Sequence, residues 1–468
     1  MNPELSSYAA SALAGPLLLA AAAFAGLILP LFLRPLRGAQ GLLALGAAVT
    51  GLVFFRRPPS AELALFGGAL TLTPLTAYIW AFALAATAAV CVISISAQAE
   101  PEEFRGEYYF LLLMSACGLM ALAAAGDLFT AFIALELMSL PVYALAGITR
   151  GKAGLEAALK YFMLGSFGSA LLIMGIALLN AVCPSLSFAA LKGAQGTAAA
   201  AGFMLATAGF AFKTALVPFH MWVPDVYEGA PAQVSAFMAA AVKAGGALLL
   251  CRLFCLLDAG PAREAFWWLA AVTMVTANLA ALAQDGLKRL LAYSSVAQAG
   301  YLATAFFGGE QGRAALLYYV PVYAAATVGA FAVAAAAGGG EKGPAVKDLA
   351  GLARRRPWLA AAMAVFMLSL AGIPPAAGFF AKFYAFAAAA AGGRGGLVVL
   401  AAVMSAVSLF YYLRVTVVMF MAAPEAEQAP EAGGAGEVLA VLLAAGLLAA
   451  GLFSGALLGP AAAAARWF

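Results

Sequence analysis

Four ionisable side chains lie deep inside long apolar stretches, and their types suit the transfer of protons. Glu136 is in the middle of the run 129–145. The others are lysines too far from a helix end to snorkel to the membrane surface: Lys213, Lys243 and Lys382. Burying such a group in a membrane costs about 2.5–3.5 kcal/mol on insertion scales, so each needs a reason. A structural ion pair would explain any single one of them.

One deeply buried glutamate cannot pair with three lysines. Burial of an unpaired lysine lowers its pKa towards neutrality, so that it can take up and release a proton near pH 7. We therefore predict that these residues form a serial proton relay.

Three further side chains are candidate accessory residues. Glu156 and Lys160 have the i, i+4 spacing of a helical ion pair near the membrane edge. They could equally serve the start of the relay. His220 follows Pro218 in an opened backbone, where a neutral imidazole could pass on a proton or bond a freed carbonyl.

The composition predicts the surroundings of these residues. The chain has 468 residues, of which 65% are hydrophobic and 10% are charged, whereas a soluble domain has about 25% charged residues. Apolar runs of about 20 residues recur almost end to end, and spans in lipid must satisfy their own backbone hydrogen bonds. We expect an all-α polytopic membrane protein with about fourteen transmembrane helices.

The side chains available for cofactors are few. The chain has five cysteines, without a Cys-x-x-Cys pair, and one histidine. These are too few ligands for an iron–sulfur, haem or zinc site, so we expect no metal and no bound cofactor in this chain. The net charge of +4 is small and scattered, which implies no nucleic-acid partner.

Two predicted spans contain prolines that would break a helix. Pro218 and Pro224 interrupt the seventh span, and Pro374 and Pro375 interrupt the twelfth. A proline inside a membrane helix frees a carbonyl, which is tolerated where protein or water covers it. Two broken spans five helices apart suggest two five-helix repeats in inverted topology. Ordinary proline kinks are the alternative.

This pattern predicts a single membrane domain over residues 1–468. Its parts are three N-terminal helices in 1–106, five-helix repeats over 107–257 and 265–421, and a C-terminal helix over 436–459. Basic residues favour the odd-numbered loops, which places those loops in the cytoplasm and both termini outside. The basic residues concerned are Arg34, Arg37, Arg105, Arg150, Lys152, Lys288, Arg289, Lys342, Lys347 and Arg354 to Arg356.

Several of these motifs resemble those of a known family. The run 212–225, FKTALVPFHMWVPD, is similar to the signature of antiporter-like membrane subunits. That family includes the proton-pumping subunits of respiratory complex I and of multisubunit cation/proton antiporters. The following VYEGAP, 226–231, resembles the subunit N branch in particular, and so do the runs 127–141, 158–162, 287–295 and 371–384. The resemblance covers about residues 100–420.

The resemblance implies roles for particular residues. Glu136, Lys160, Lys213, Lys243 and Lys382 occupy the family's proton-path positions. Lys213 is then the central switch paired with Glu136, Lys243 hands the proton across the repeat boundary, and Lys382 releases it to the outside. Gln298 stands where the family often has histidine, and glutamine cannot titrate.

The resemblance also implies a function and a setting. The chain would be a proton-translocating subunit of complex I in a bacterial inner membrane. Quinone reduction would occur in partner subunits, which would hold the NADH, flavin, iron–sulfur and quinone sites. Expected partners are the antiporter-like subunits L and M, small membrane subunits and the lipid bilayer.

Three alternatives remain open from the sequence. The chain could serve a cation/proton antiporter or a hydrogenase-linked complex within the same superfamily. It could instead be a solute carrier with a charged central site, although lysines spread over three spans fit a linear path better. A non-pumping scaffold is the third alternative, and the cost of burying so many charges argues against it.

Overall fold

The computed structural model describes residues 3–33, 38–53, 62–97, 101–257, 261–423 and 434–468. Arg34 and Arg37, which contribute to the predicted orientation, lie outside the described residues. The first part of the chain contains α1 Pro3–Phe32, α2 Gln40–Val53, β1 Leu63–Leu65, β2 Leu70–Leu72, α3 Pro74–Ala97, α4 Arg105–Ala124, α5 Leu128–Ala146, α6 Lys152–Val182, α7 Phe188–Leu191, α8 Thr197–Thr214, α9 Trp222–Gly229, α10 Ala232–Phe237 and α11 Lys243–Leu256.

The second part is also helical. It contains α12 Pro261–Leu282, α13 Leu287–Thr304, α14 Gly309–Ala337, α15 Leu352–Arg355, α16 Pro357–Ala371, α17 Ala377–Ala391, α18 Gly395–Met421, α19 Ala435–Leu452 and α20 Ser454–Ala465.

Most of these helices have the length and composition of membrane spans. Ten helical stretches in the described chain are long and apolar enough to cross a membrane. One of them, Leu287–Ala337, contains both α13 and α14, which a short 3-10 segment joins at Ala305–Gly308. The prediction of an all-α polytopic membrane protein is confirmed. The structure adds one small antiparallel hairpin, β1–β2, which turns at Phe66–Gly68 and which the sequence analysis did not predict.

Small residues allow the helices to approach closely, as is usual where lipid provides no hydrophobic force between helices. The contact between α4 and α5 is an example. A Cβ atom placed on Gly118 of α4 would lie 2.2 Å from the backbone nitrogen of Met138 in α5. Any side chain at position 118 would therefore push α5, which carries Glu136, away from α4.

The same backbone features occur twice along the chain. An isolated β-bridge joins Asp127, just before α5, to Ser187, and a second one joins Gly286, just before α13, to Ala345. Helices α8 and α16 also end in the same way, at a residue with left-handed backbone angles, Ala215 in the first and Gly372 in the second. In both, the next residue donates its N–H to the carbonyl five residues earlier, at 3.0 Å.

Candidate proton path

Lys213 is the penultimate residue of α8 and is 1% exposed. Its Nζ donates a hydrogen bond to the hydroxyl of Tyr143 in α5, at 2.5 Å, and lies 4.9 Å from the centre of the same ring. The backbone opens directly after it, since residues 215–221 form turns before α9 begins. The buried amine lies at the end of a broken helix, and its immediate partner is the phenol of Tyr143 in α5.

Glu136 lies two turns before Tyr143 in α5 and is half-buried. Its carboxylate accepts a hydrogen bond from Ser169 of α6, at 2.6 Å. In the described part of the chain no ion pair joins it to Lys213. The hydrogen-bond partner of Lys213 is therefore Tyr143 and not Glu136, which the sequence did not indicate. The available signal was the spacing of seven residues, which places Glu136 and Tyr143 on one helix face.

Lys243 begins α11 and is 3% exposed. Its Nζ donates to the backbone carbonyl of Ser295 in α13 and lies 5.5 Å from the centre of the Tyr323 ring in α14. The residues before it, Met238–Val242, form a π-helical segment that connects α10 and α11. Such segments are rare and occur often at functional sites. Nothing in the sequence indicated this one.

Gln298 connects the neighbourhood of Lys243 with the second broken helix. It lies one turn after Ser295 in α13, and its Nε2 donates to the backbone carbonyl of Leu370, at 2.8 Å. The hydroxyl of Tyr319 donates to its Oε1. Gln298 thus both donates and accepts hydrogen bonds, which allows it to hold a chain of polar groups together although it cannot titrate.

Lys382 is 5% exposed in α17, just after the second break. Its Nζ donates to the carbonyl of Ala371, at 2.9 Å, and to the hydroxyl of Ser405, at 2.8 Å. The carbonyls that Gln298 and Lys382 bind are therefore successive ones at the end of α16. The end of a helix leaves such carbonyls without intrahelical partners, so the break makes them available to both side chains.

Gly372 leaves room for the side chain of Lys382. It has a φ of +86°, which disfavours other residues, and a Cβ atom there would lie 2.9 Å from the Cδ of Lys382. A cavity of about 520 Å³ adjoins the lysine, with Ser405 and aromatic residues such as Phe379 and Phe383 in its wall.

Known proteins share this arrangement of helices. The family model described as NADH:quinone oxidoreductase/Mrp antiporter, TM matches residues 125–408. NADH-quinone oxidoreductase subunit N of Trichlorobacter lovleyi is 44% identical over 361 residues, which cover 74% of each chain. The chain belongs to the NADH-quinone oxidoreductase subunit N family. The corresponding protein of Bdellovibrio bacteriovorus is 36% identical over 461 residues, 93% of this chain and 94% of that one.

Solved structures agree with membership of the subunit N family. A chain of respiratory complex I from Thermus thermophilus, solved with bound aureothin, superposes with a TM-score of 0.83 at 37% identity. The match covers 95% of this chain and 98% of that chain. A chain of the Mrp complex from Dietzia sp. DQ12-45-1b superposes with a TM-score of 0.86 at 24% identity, over 100% and 97% of the two chains. The second likeness shows a common fold only. The predicted resemblance is confirmed.

The accessory residues of this subunit N family member lie at the ends of helices. Lys160 pairs with Glu156, at 2.7 Å, and with Asp225 of α9, at 2.8 Å. Asp225 also binds Arg289 of α13, at 2.9 Å, and Arg289 reaches Glu228, at 3.0 Å. The ion pair between Glu156 and Lys160 is thus present, and it extends into a network that joins α6, α9 and α13. That extension could not be predicted, because Asp225 and Arg289 are distant from Lys160 along the chain.

The prolines divide into two groups. Pro218 lies in the turns between α8 and α9, and Pro374 and Pro375 lie between α16 and α17. The Val217–Pro218 and Pro374–Pro375 peptide bonds are cis. Pro224, in contrast, is in the first turn of α9, where a proline removes no helical hydrogen bond. The interpretation of Pro224 as a second interruption is therefore wrong. His220 is half-buried in the turns that follow Lys213.

Proposed function

We propose that this chain is the proton-translocating subunit N of a complex I-type NADH:quinone oxidoreductase. The observation that carries the proposal is the series of buried amines in a member of this family, each held by hydroxyls or backbone carbonyls. Tyr143 holds Lys213, the carbonyl of Ser295 holds Lys243, and Ser405 with the carbonyl of Ala371 holds Lys382. Hydroxyls and carbonyls are neutral, so they bind a charged amine but stabilise its charge less than a carboxylate does. A proton can therefore leave the amine.

The proposed path runs along these residues in order. Lys213 is its central switch. Glu136 acts on it by way of Tyr143, which shares a face of α5 with Glu136 and holds the Lys213 amine. Lys243 takes the proton across the boundary between the repeats, and Lys382 releases it towards the outside. Lys160, with Glu156, belongs to the network at the start of α6. His220 is an accessory residue beside the first break.

Gln298 has a supporting part in this proposal. It orders the carbonyls at the end of α16 and accepts a hydrogen bond from Tyr319. Because its amide does not titrate, a proton would pass this position by way of water or hydroxyl groups, not on the side chain itself.

We also propose the finer architecture. The recurring bridges and helix ends support two five-helix repeats, over 107–257 and 265–421, and an odd number of helices makes the second an inverted copy. The three N-terminal helices in 1–106 and the C-terminal helix over 436–459 complete one membrane domain. The ten helical stretches become fourteen spans in three steps. Helices α13 and α14 are counted separately, and α2 is added. The pairs α8 with α9 and α16 with α17 then each count as one broken span.

The setting of the chain is part of the same proposal. The excess of basic residues in the odd-numbered loops supports a bacterial inner membrane with both termini on the periplasmic side. We assign no redox centre to this chain. NADH oxidation and quinone reduction belong to partner subunits, and the membrane partners are the antiporter-like subunits L and M and small membrane subunits. A subunit of a cation/proton antiporter is the second candidate, since its fold is shared.

Purification from native membranes tests the proposed assembly. When the chain carries an affinity tag and is extracted in mild detergent, we expect NADH:quinone reductase activity and iron–sulfur signals to elute with it. The same extraction from an untagged strain is the control. Elution with other antiporter-like subunits, but without reductase activity or iron–sulfur signals, would favour ion exchange and contradict the respiratory proposal.

A further inference from the structure

Arg252 is a buried cation that the proposed path does not use. It lies in α11 and is 9% exposed. Its Nη1 donates to the carbonyl of Ala125, at 2.9 Å, and its Nη2 donates to the carbonyl of Ala123, at 3.2 Å. Both carbonyls belong to the end of α4, where a helix leaves carbonyls without intrahelical partners. Within the described ranges no ion pair joins Arg252 to a carboxylate, so neutral carbonyls hold the guanidinium.

Arg414 occupies the equivalent place in the second repeat. It lies in α18, and its Nη2 donates to the carbonyl of Gln284, just after α12. Its Nη1 lies 3.7 Å from the exposed carboxylate of Asp285. Helices α4 and α12 are the first helices of the two proposed repeats, and α11 and α18 are the last. In each repeat, therefore, an arginine of the last helix binds the end of the first helix.

The spacing along the two last helices supports this equivalence. Lys243 of α11 precedes Arg252 by nine residues, and Ser405 of α18 precedes Arg414 by nine residues. Lys243 belongs to the proposed path, and Ser405 holds Lys382, which also belongs to it. Nine residues of α-helix rise about 13.5 Å. Each arginine therefore lies well beyond the path, towards one end of its repeat.

The two arginines lie on opposite sides of the membrane. The membrane span α5 begins just after Ala125, which Arg252 binds. Beyond the other end of α5, the ion-pair network of Arg289 joins the start of α6 to the start of α13. Arg414 binds the loop just before α13. In the proposed orientation, Arg252 is thus at the outer end of the first repeat and Arg414 at the cytoplasmic end of the second.

These are the two ends that must stay closed if protons move from Lys213 to Lys382 and leave from there to the outside. Through an open outer end of the first repeat, a proton would escape before it passed along the path. Through an open cytoplasmic end of the second repeat, a proton on Lys382 would return. The carbonyls at a helix end carry partial negative charge, which attracts a hydrated proton unless another cation binds there.

We propose that Arg252 and Arg414 are barrier residues, which close the outer end of the first repeat and the cytoplasmic end of the second repeat to protons. The inference rests on the proposed function. A guanidinium is permanently charged, so it cannot pass a proton on, and its positive charge repels a hydrated proton. The lysines of the path take up and release protons, whereas the two arginines confine the protons to that path.

Passive proton leak tests the barrier without any electron transfer. Proteoliposomes of purified complex receive a K⁺ diffusion potential through valinomycin, and an enclosed pH-sensitive dye records proton entry. Arg252→Met and Arg414→Met should each raise the initial rate of entry several-fold. Arg394→Met is the matched control, because this side chain is 27% exposed, against 28% for Arg414, and pairs with the carboxylate of Glu264. The control should leak no more than the unchanged complex.

Double variants separate a barrier from loosened packing. A leak along the path needs the path lysines. Adding Lys213→Ala to Arg252→Met, or Lys382→Met to Arg414→Met, should therefore return the leak to the level of the unchanged complex. Arg252→Lys keeps a cation and should leak less than Arg252→Met. A leak that persisted in both double variants would come from disturbed helix ends and would overturn the proposal.

The failure of the barrier and the failure of the proposed function give different results. Arg414 is partly exposed, so its variants decide the matter even if those of Arg252 do not assemble. If the arginine variants leaked no more than the unchanged complex while Lys213→Ala abolished pumping, the barrier would be wrong and the proposed function would stand. If Lys213→Ala pumped normally, the proposed function would fail, and the barrier with it.

Discussion

Lys382→Met should lower the rate of proton translocation more than tenfold while the complex still assembles. Methionine keeps the length and apolar contacts of the side chain but removes the amine that Ser405 and the carbonyl of Ala371 hold. A positioned proton-transfer group contributes about 10²–10⁴-fold to a rate, so its loss should dominate. The measurement is NADH-driven acidification of proteoliposomes that contain the purified complex.

The control for this variant is Lys342→Met, which removes an exposed lysine from the loop after α14. We expect it to pump like the unchanged complex. If the Lys382 variant assembled fully and retained more than half of the normal rate, the release of protons through this residue would be disproved.

Gly165→Ala should also reduce proton translocation strongly, although the substitution introduces one methyl group. A Cβ atom at position 165 of α6 would lie 2.2 Å from the hydroxyl oxygen of Tyr143 and 2.6 Å from the ring carbon that bears it. The tyrosine must move, so its hydrogen bond to Lys213 is lost or displaced. Because this hydrogen bond holds the Lys213 amine, we expect a loss of about tenfold. The loss is smaller than the ~10²–10⁴-fold contribution of a proton-transfer group, since the lysine itself remains.

Two further variants separate this effect from a general disturbance of α6. Gly446→Ala places the same methyl group on the membrane helix α19, where nothing lies within 4 Å, and should have no effect. Tyr143→Phe removes the hydroxyl without adding volume and should reproduce the pumping defect. Normal pumping by Tyr143→Phe together with a defect in Gly165→Ala would mean that the glycine serves packing alone.

The buried lysines were predictable because a charged residue inside an apolar run is costly to place in a membrane, and such residues stand out in the sequence. The broken helices were also predictable, since Pro218, Pro374 and Pro375 cannot continue a regular helix. Pro224 looked equivalent in the sequence. It proved different because α9 begins just before it, and the first turn of a helix tolerates proline.

What the sequence did not reveal depends on contacts between distant segments. Tyr143 contacts Lys213 because α5, α6 and α8 pack closely, and a lone tyrosine in an apolar run carries no such signal. The π-helical segment before Lys243 arises from residues Met238–Val242, which have no unusual composition.

In the proposed path, protons pass through Lys213 of this chain. The most direct test records NADH oxidation and acidification simultaneously in proteoliposomes that contain purified complex with Lys213→Ala. We predict that acidification falls more than tenfold below that of the unchanged complex at equal amounts of assembled protein. Normal acidification at a normal rate of quinone reduction would show that proton translocation does not require Lys213.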